Sequence, residues 1–291
     1  MGTSNSFGGP GNNTPLVPSW LEPDAPIFPT PPNGILPDRE GVTPVPEIPM
    51  AQPPLIEPPP SPNRFASART NMTRFIRSGG NDNASRGRAI SHYVRISSGG
   101  ARQATRRMGS SRVSAGRLAG FLSDVARRGQ NDALQSLNLE ELAGLPISEV
   151  FLGMVDYLCP DGGSIDEGIA RDAFIETIVD LAQIGEINLD ALNFDQMRTV
   201  FELYVTHTIE NRLYNDIGTQ IIRIPPDIRM ALRIQNQIRD FIRRGVADAL
   251  TKMKDAMRQL TREGVGKFVD RVYEDAFGIL LNLSETEAEA I

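Results

Sequence analysis

The first chemically useful group in this chain is an amine. Glycine as second residue permits removal of Met1, which would expose the Gly2 α-amine. Such an amine has a pKa of about 7.7–8.0, against about 10.4 for a lysine, so near neutrality an appreciable fraction is unprotonated and nucleophilic. The chain has only three lysines, Lys252, Lys254 and Lys267, all far from this end. Gly2 carries no side chain and can enter a narrow active site. Glycines at 2, 8, 9 and 11 and small polar residues around them oppose helix and core strand, yet the single tryptophan, Trp20, lies just beyond. This leader reads as a segment presented to a partner. The alternative is an ordinary disordered end.

Other reactive residue types are sparse. Met1-Gly2-Thr3-Ser4-Asn5-Ser6 fits the myristoylation pattern, but one acyl chain binds membranes weakly without a basic cluster, and acids at 22, 24, 38, 40, 47 and 57 precede the first dense arginines. Gly8-Gly9-Pro10-Gly11 lacks the Lys-Ser/Thr of a phosphate loop. Cys159 follows an apolar helix and reads as a packed thiol. His207 and Glu210, one helical turn apart, could make half of a metal or acid–base pair; nothing in the sequence completes it, so a structural or solvated role is expected. Arg102, Arg106 and Arg107, with Arg95 close by, are the densest basic group. They could neutralise phosphates, but no aromatic ladder or DNA-reading motif accompanies them. Contact with acidic protein surface is the simpler reading; a nucleic-acid-binding subunit using residues 88–128 is the competing one.

The elements that would position these groups are helical. Eighteen of the 22 prolines lie in residues 10–62, which disfavours helix and promotes extended backbone. Apolar pairs such as Ile27-Phe28, Ile35-Leu36 and Leu55-Ile56 punctuate this stretch, so it reads either as a tether lying along a partner or the body, or as an inert linker. Beyond Asn63 the apolar spacing turns helical, with Gly-Gly breaks at 79–80 and 99–100. Helices are predicted over 147–158, 165–184 (N-capped by Ser164 with Glu167 in the capping-box position), 195–214, 227–259 and 264–281. The expected architecture is all-α: a helical body preceded by a long proline-rich extended or disordered tether. Its parts are a leader (1–20), a tether (21–63), an arginine-rich helical segment (64–129), an acidic helical body (130–283) and an acidic tail (284–291).

With 40% hydrophobic content, 291 residues suffice for one good core plus appendages. One cysteine excludes an intramolecular disulfide framework, and two well-separated histidines argue against structural zinc. No apolar run approaches the ~18 residues of a membrane span, and the N-terminus lacks signal-peptide features, so a cytoplasmic protein is expected. The net charge of −6 conceals an asymmetry: residues 64–128 carry fourteen arginines against two acids, whereas residues 129–291 carry twenty-eight acids against fifteen basic residues. These blocks can pair within the molecule or recruit partners. No enzyme reading can be assembled from base, nucleophile and oxyanion donors.

Met1-Gly2-Thr3-Ser4, then Ser6, Phe7, Gly8, Gly9 and Pro10, and Pro15-Leu16-Val17-Pro18-Ser19-Trp20, resemble the leader of the B component of the Qat anti-phage defence system. Arg64-Phe65, Ser98-Gly99-Gly100, Arg106-Arg107-Met108, Leu137-Asn138-Leu139, Gly162-Gly163-Ser164-Ile165-Asp166-Glu167 and Asn215-Asp216-Ile217-Gly218 extend the resemblance through most of the chain. The resemblance implies a non-catalytic scaffold whose partners are a P-loop ATPase, a homologue of the 7-cyano-7-deazaguanine synthases and a TatD-like nuclease. It further implies that the synthase-like partner uses the N-terminus as substrate, placing a deazaguanine amide on Gly2. On that reading Thr3, Ser4 and Ser6 line the partner's entry channel and Phe7 fills an apolar notch. Gly8, Gly9 and Pro10 turn the backbone out, and Trp20 belongs to the recognised segment. The chain itself is expected to bind no cofactor or metal beyond that covalent group.

Overall fold

Paired glycines cut the arginine-rich segment into short helices. In the computed structural model, which describes residues 63–160, 162–184, 188–218 and 227–289, Gly79 and Gly80 hold φ of +68° and +84°. That left-handed backbone suits glycine, and it ends α1 (Ala66–Arg77) and admits α2 (Asn83–His92), whose Asp82 cap accepts from the Ser85 N–H. A π-helical turn, Tyr93–Ser97, leads to Gly99 and Gly100, again at positive φ, and into α3 (Ala101–Arg106) and α4 (Gly109–Arg128). Both glycine breaks fall where the sequence places them.

Downstream, α5 (Gln130–Gln135) precedes α6 (Ile147–Gly153) and α7 (Val155–Leu158), which are separated at Met154 where the sequence predicts one helix. The Ser164–Glu167 capping box forms as expected, with Ser164 Oγ accepting from the Glu167 N–H and the Glu167 carboxylate accepting from the Ser164 N–H; it opens α8 (Ile165–Ile184). A second box, Asn193 with Gln196, opens α9 (Phe194–Leu213), which passes into a π-helical turn, Tyr214–Gly218. The predicted 227–259 helix is two: α10 (Ile228–Lys252) and, past a kink at Met253, α11 (Lys254–Arg258). Helix α12 (Val265–Glu289) runs through residues read from sequence as a tail, because Glu285 and Glu287 there find arginine partners and Ser284 is fully buried.

Of the described residues, 82% are helical and none lies in a strand, so the fold is all-α. Arginine-rich and acidic segments belong to one unit, Pro58–Ile291. Helix α12 is a spine packed on α2, α3, α4 and α10. Helix α9 lies between α8 and α10 and is buried from Val200 to Glu210 without interruption. Burial on all sides leaves α9 no polar face. Of its inward polar groups, Glu202, His207, Thr208 and Glu210 find partners in protein, whereas the Thr206 hydroxyl is buried without one. No helix among the described residues is long and apolar enough to cross a membrane.

Candidate functional site

The leader residues Gly2, Thr3, Ser4, Ser6, Phe7, Gly8, Gly9, Pro10 and Trp20, and the tether to Pro62, lie outside the described residues. The four arginines of the basic group are described, and they do not gather into one patch. Arg95 pairs with Glu285 and Arg102 with Glu274 at 3.4 Å, both on α12. Arg106 is exposed. Arg107, at the end of α3, turns inward to Asp216 at 3.0 Å.

Asp216 is the hub of the first polar cluster. Its Oδ2 accepts from the Tyr93 hydroxyl at 3.0 Å, from Arg107 at 3.0 Å and from Arg212 Nε at 3.3 Å, while its main-chain carbonyl accepts from Arg69 at 2.9 Å. Burial and then the Asp216 charge push the Tyr93 phenol far up, so it remains a donor. Arg212 also pairs with Asp166 at the start of α8. Phe65 stacks on Tyr93 with ring centroids 6.0 Å apart, and the guanidinium groups of Arg64 and Arg107 stand 4.7 and 5.2 Å from its ring centre. One residue, through its side chain and its main-chain carbonyl, thus ties α1, α3 and the first π-helical turn to the end of α9.

His207 forms the second cluster. Its Nε2 lies 2.8 Å from Asp180 Oδ2 and its Nδ1 lies 3.1 Å from Glu176 Oε2, with Glu210 at 3.8 Å. Glu210 in turn accepts from Arg239 Nε at 2.7 Å, and Glu176 accepts from the Asn211 side chain at 3.2 Å. Burial alone would lower the imidazole pKa; the hydrogen-bonding carboxylates of Glu176, Glu210 and Asp180 outweigh it and raise it to about 9. His207 is therefore an imidazolium at neutral pH, clamped between helices. Its two nitrogens face different carboxylates, so the donors do not converge on a metal, and no group of three or more His, Cys, Asp or Glu among the described residues can hold one. The i,i+3 pair was legible in the sequence. Its completion by Glu176 and Asp180 was not, although their own i,i+4 spacing on one helix was the available signal. Cys159 is buried, its Sγ 3.5 Å from the Ala170 carbonyl oxygen; burial raises its pKa, which suits a packed thiol.

Two concavities among the described residues run along α4. One of about 760 Å³ and one of about 690 Å³ adjoin at Arg112, Val113 and Arg117. The second is also lined by Ser164 and Glu167, whose side chains meet in the capping box of α8, with Ser164 Oγ donating to the Glu167 carboxylate at 2.6 Å.

Residues 99–280 match the family model described as Qat anti-phage system associated protein QatB. No curated protein and no solved structure matches the chain. The matched span takes in the α4 concavities, the His207 cluster and Asp216, and it covers well over half of the sequence. The chain therefore belongs to the QatB family and is a component of the Qat anti-phage system.

Proposed function

We propose that this chain is a non-catalytic, cytoplasmic subunit of that system whose Gly2 amine is presented to, and acylated by, a 7-cyano-7-deazaguanine synthase-like partner. A P-loop ATPase of the same system is the second partner. The observation that carries the reading is the leader: a side-chain-free N-terminal amine followed by Thr3, Ser4 and Ser6 and an aromatic residue, in a chain almost without lysine. The body supports it from the other side, because its polar clusters at Asp216 and His207 are engaged in ion pairs that hold helices together.

In the reaction, ATP activates a deazaguanine carboxylate and the neutral Gly2 nitrogen attacks its carbonyl carbon. The C–N bond forms as the bond to the activating group breaks, and the ammonium proton is lost to solvent or base. The product is an amide. Because only the unprotonated amine attacks, the rate should fall as pH drops below about 7.7.

Mass spectrometry of the N-terminal peptide from cells carrying the complete system tests this. The expected result is loss of Met1 and a deazaguanine amide on Gly2. A bulky residue in place of Gly2 should abolish both the modification and defence while the body still folds. An unmodified Gly2 in cells with an active system rules the mechanism out.

A further inference from the structure

Helix α4 presents a bare face. Gly116 and Gly120 line the larger concavity, and a Cβ at Gly120 would meet nothing within 4 Å. Around this trough three large apolar side chains stand in solvent: Val113 is 55% exposed, Tyr157 42% and Ile165 69%. Exposed apolar groups gathered at a concavity mark a binding surface more often than a scattered few do.

The charges at the trough select its occupant. Every carboxylate lining it is already engaged. Asp124 pairs with Arg127, Arg128 and Arg262, and Asp270 pairs with Arg112 at 3.1 Å. Asp166 pairs with Arg212, and Glu167 accepts from Ser164. Arg117 differs. Its Nη1 donates only to main-chain oxygens, of Tyr157 at 3.2 Å and Leu158 at 3.4 Å, and it has no carboxylate partner among the described residues. Beside it, the Nε of Arg112 is buried without an acceptor. The uncompensated positive charge therefore sits where the two concavities meet, flanked by apolar surface on both sides.

We propose that this trough is a docking site for an acidic peptide segment of another protein, with a carboxylate seated on Arg117 and apolar side chains in the two concavities. A carboxylate would accept from the guanidinium donors that the two carbonyls leave free, and the glycine face of α4 lets a peptide backbone approach closely. The lining residues among the described ones all lie within residues 99–280.

The test uses the full chain and an array of 15-residue peptides tiling the other proteins of the same system, with hits measured by fluorescence polarisation. Wild type should bind peptides that share an Asp or Glu between apolar residues. Arg117→Glu should weaken that binding about tenfold or more. Gly120→Leu should abolish it by filling the trough, while its melting temperature stays at or above wild type. No peptide bound, or binding indifferent to both substitutions, overturns the proposal. So does a DNA duplex that binds in place of peptides, or a self-association lost in Gly120→Leu, which would give the trough to a second copy.

Discussion

His207 holds its proton in an interior that would otherwise expel it, and this gives the body a pH signature. The folded chain binds that proton more tightly than the unfolded chain, whose imidazole titrates near 6.5. The stabilisation is therefore fully present below about pH 6.5 and is lost as pH rises through about 9. The size is on the order of 3 kcal/mol for a shift of this extent at a side chain that is 1% exposed. Urea midpoints measured at pH 6 and pH 9 should drop for wild type and change far less for His207→Gln. Parallel losses in the two proteins would show that the imidazolium is not responsible. The i,i+3 spacing of His207 and Glu210 shows only half of this arrangement. Glu176 and Asp180 are 31 and 27 positions upstream on another helix, and no local spacing says that they face His207.

At the scale of elements, the contact of α2 with α12 is the tightest test of the fold. Gly87 in α2 has no room for a side chain: a Cβ would stand 2.5 Å from the Ser284 carbonyl oxygen and 2.9 Å from the Ala288 nitrogen. Alanine in a helix interior ordinarily gains about 1 kcal/mol over glycine. Here the obstacle is backbone, which cannot swing aside, so Gly87→Ala should lower stability by about 1–3 kcal/mol and the melting temperature with it. A neutral or stabilising result would mean that the end of α12 does not lie on α2. The same contact explains why α12 continues to Glu289. Residues 284–291 look like a charged tail in isolation, but Arg86 binds Glu287 at 2.7 Å with its guanidinium almost buried, and the last turns are held by helices far away in sequence.

Across the whole molecule, the arginine-rich segment and the acidic body complement one another, yet the arginines are unequal. Arg107 reaches 109 residues along the chain to a buried Asp216, whereas Arg106 beside it is exposed. Arg107→Glu should therefore cost about 3 kcal/mol by placing two negative charges together, and Arg106→Glu should stay within about 0.5 kcal/mol; chemical denaturation of the two variants separates them. Equal effects would mean that net charge, and not the Asp216 hub, sets stability. The sequence by itself determined what is local or additive. It fixed the all-helical class through apolar spacing, the two glycine breaks through backbone freedom, the α8 start through Ser164 and Glu167, and the opposed charges of the two segments. It also supplied the leader chemistry on which the Gly2 proposal rests. Tertiary structure alone decided which acid meets which arginine, that His207 is charged, that α12 outruns its apparent end, and that α4 leaves a glycine-lined trough. The reason is the same in each case. Helix periodicity and capping act over three or four residues, whereas burial and ion pairing are set by helices that meet only when the chain has packed.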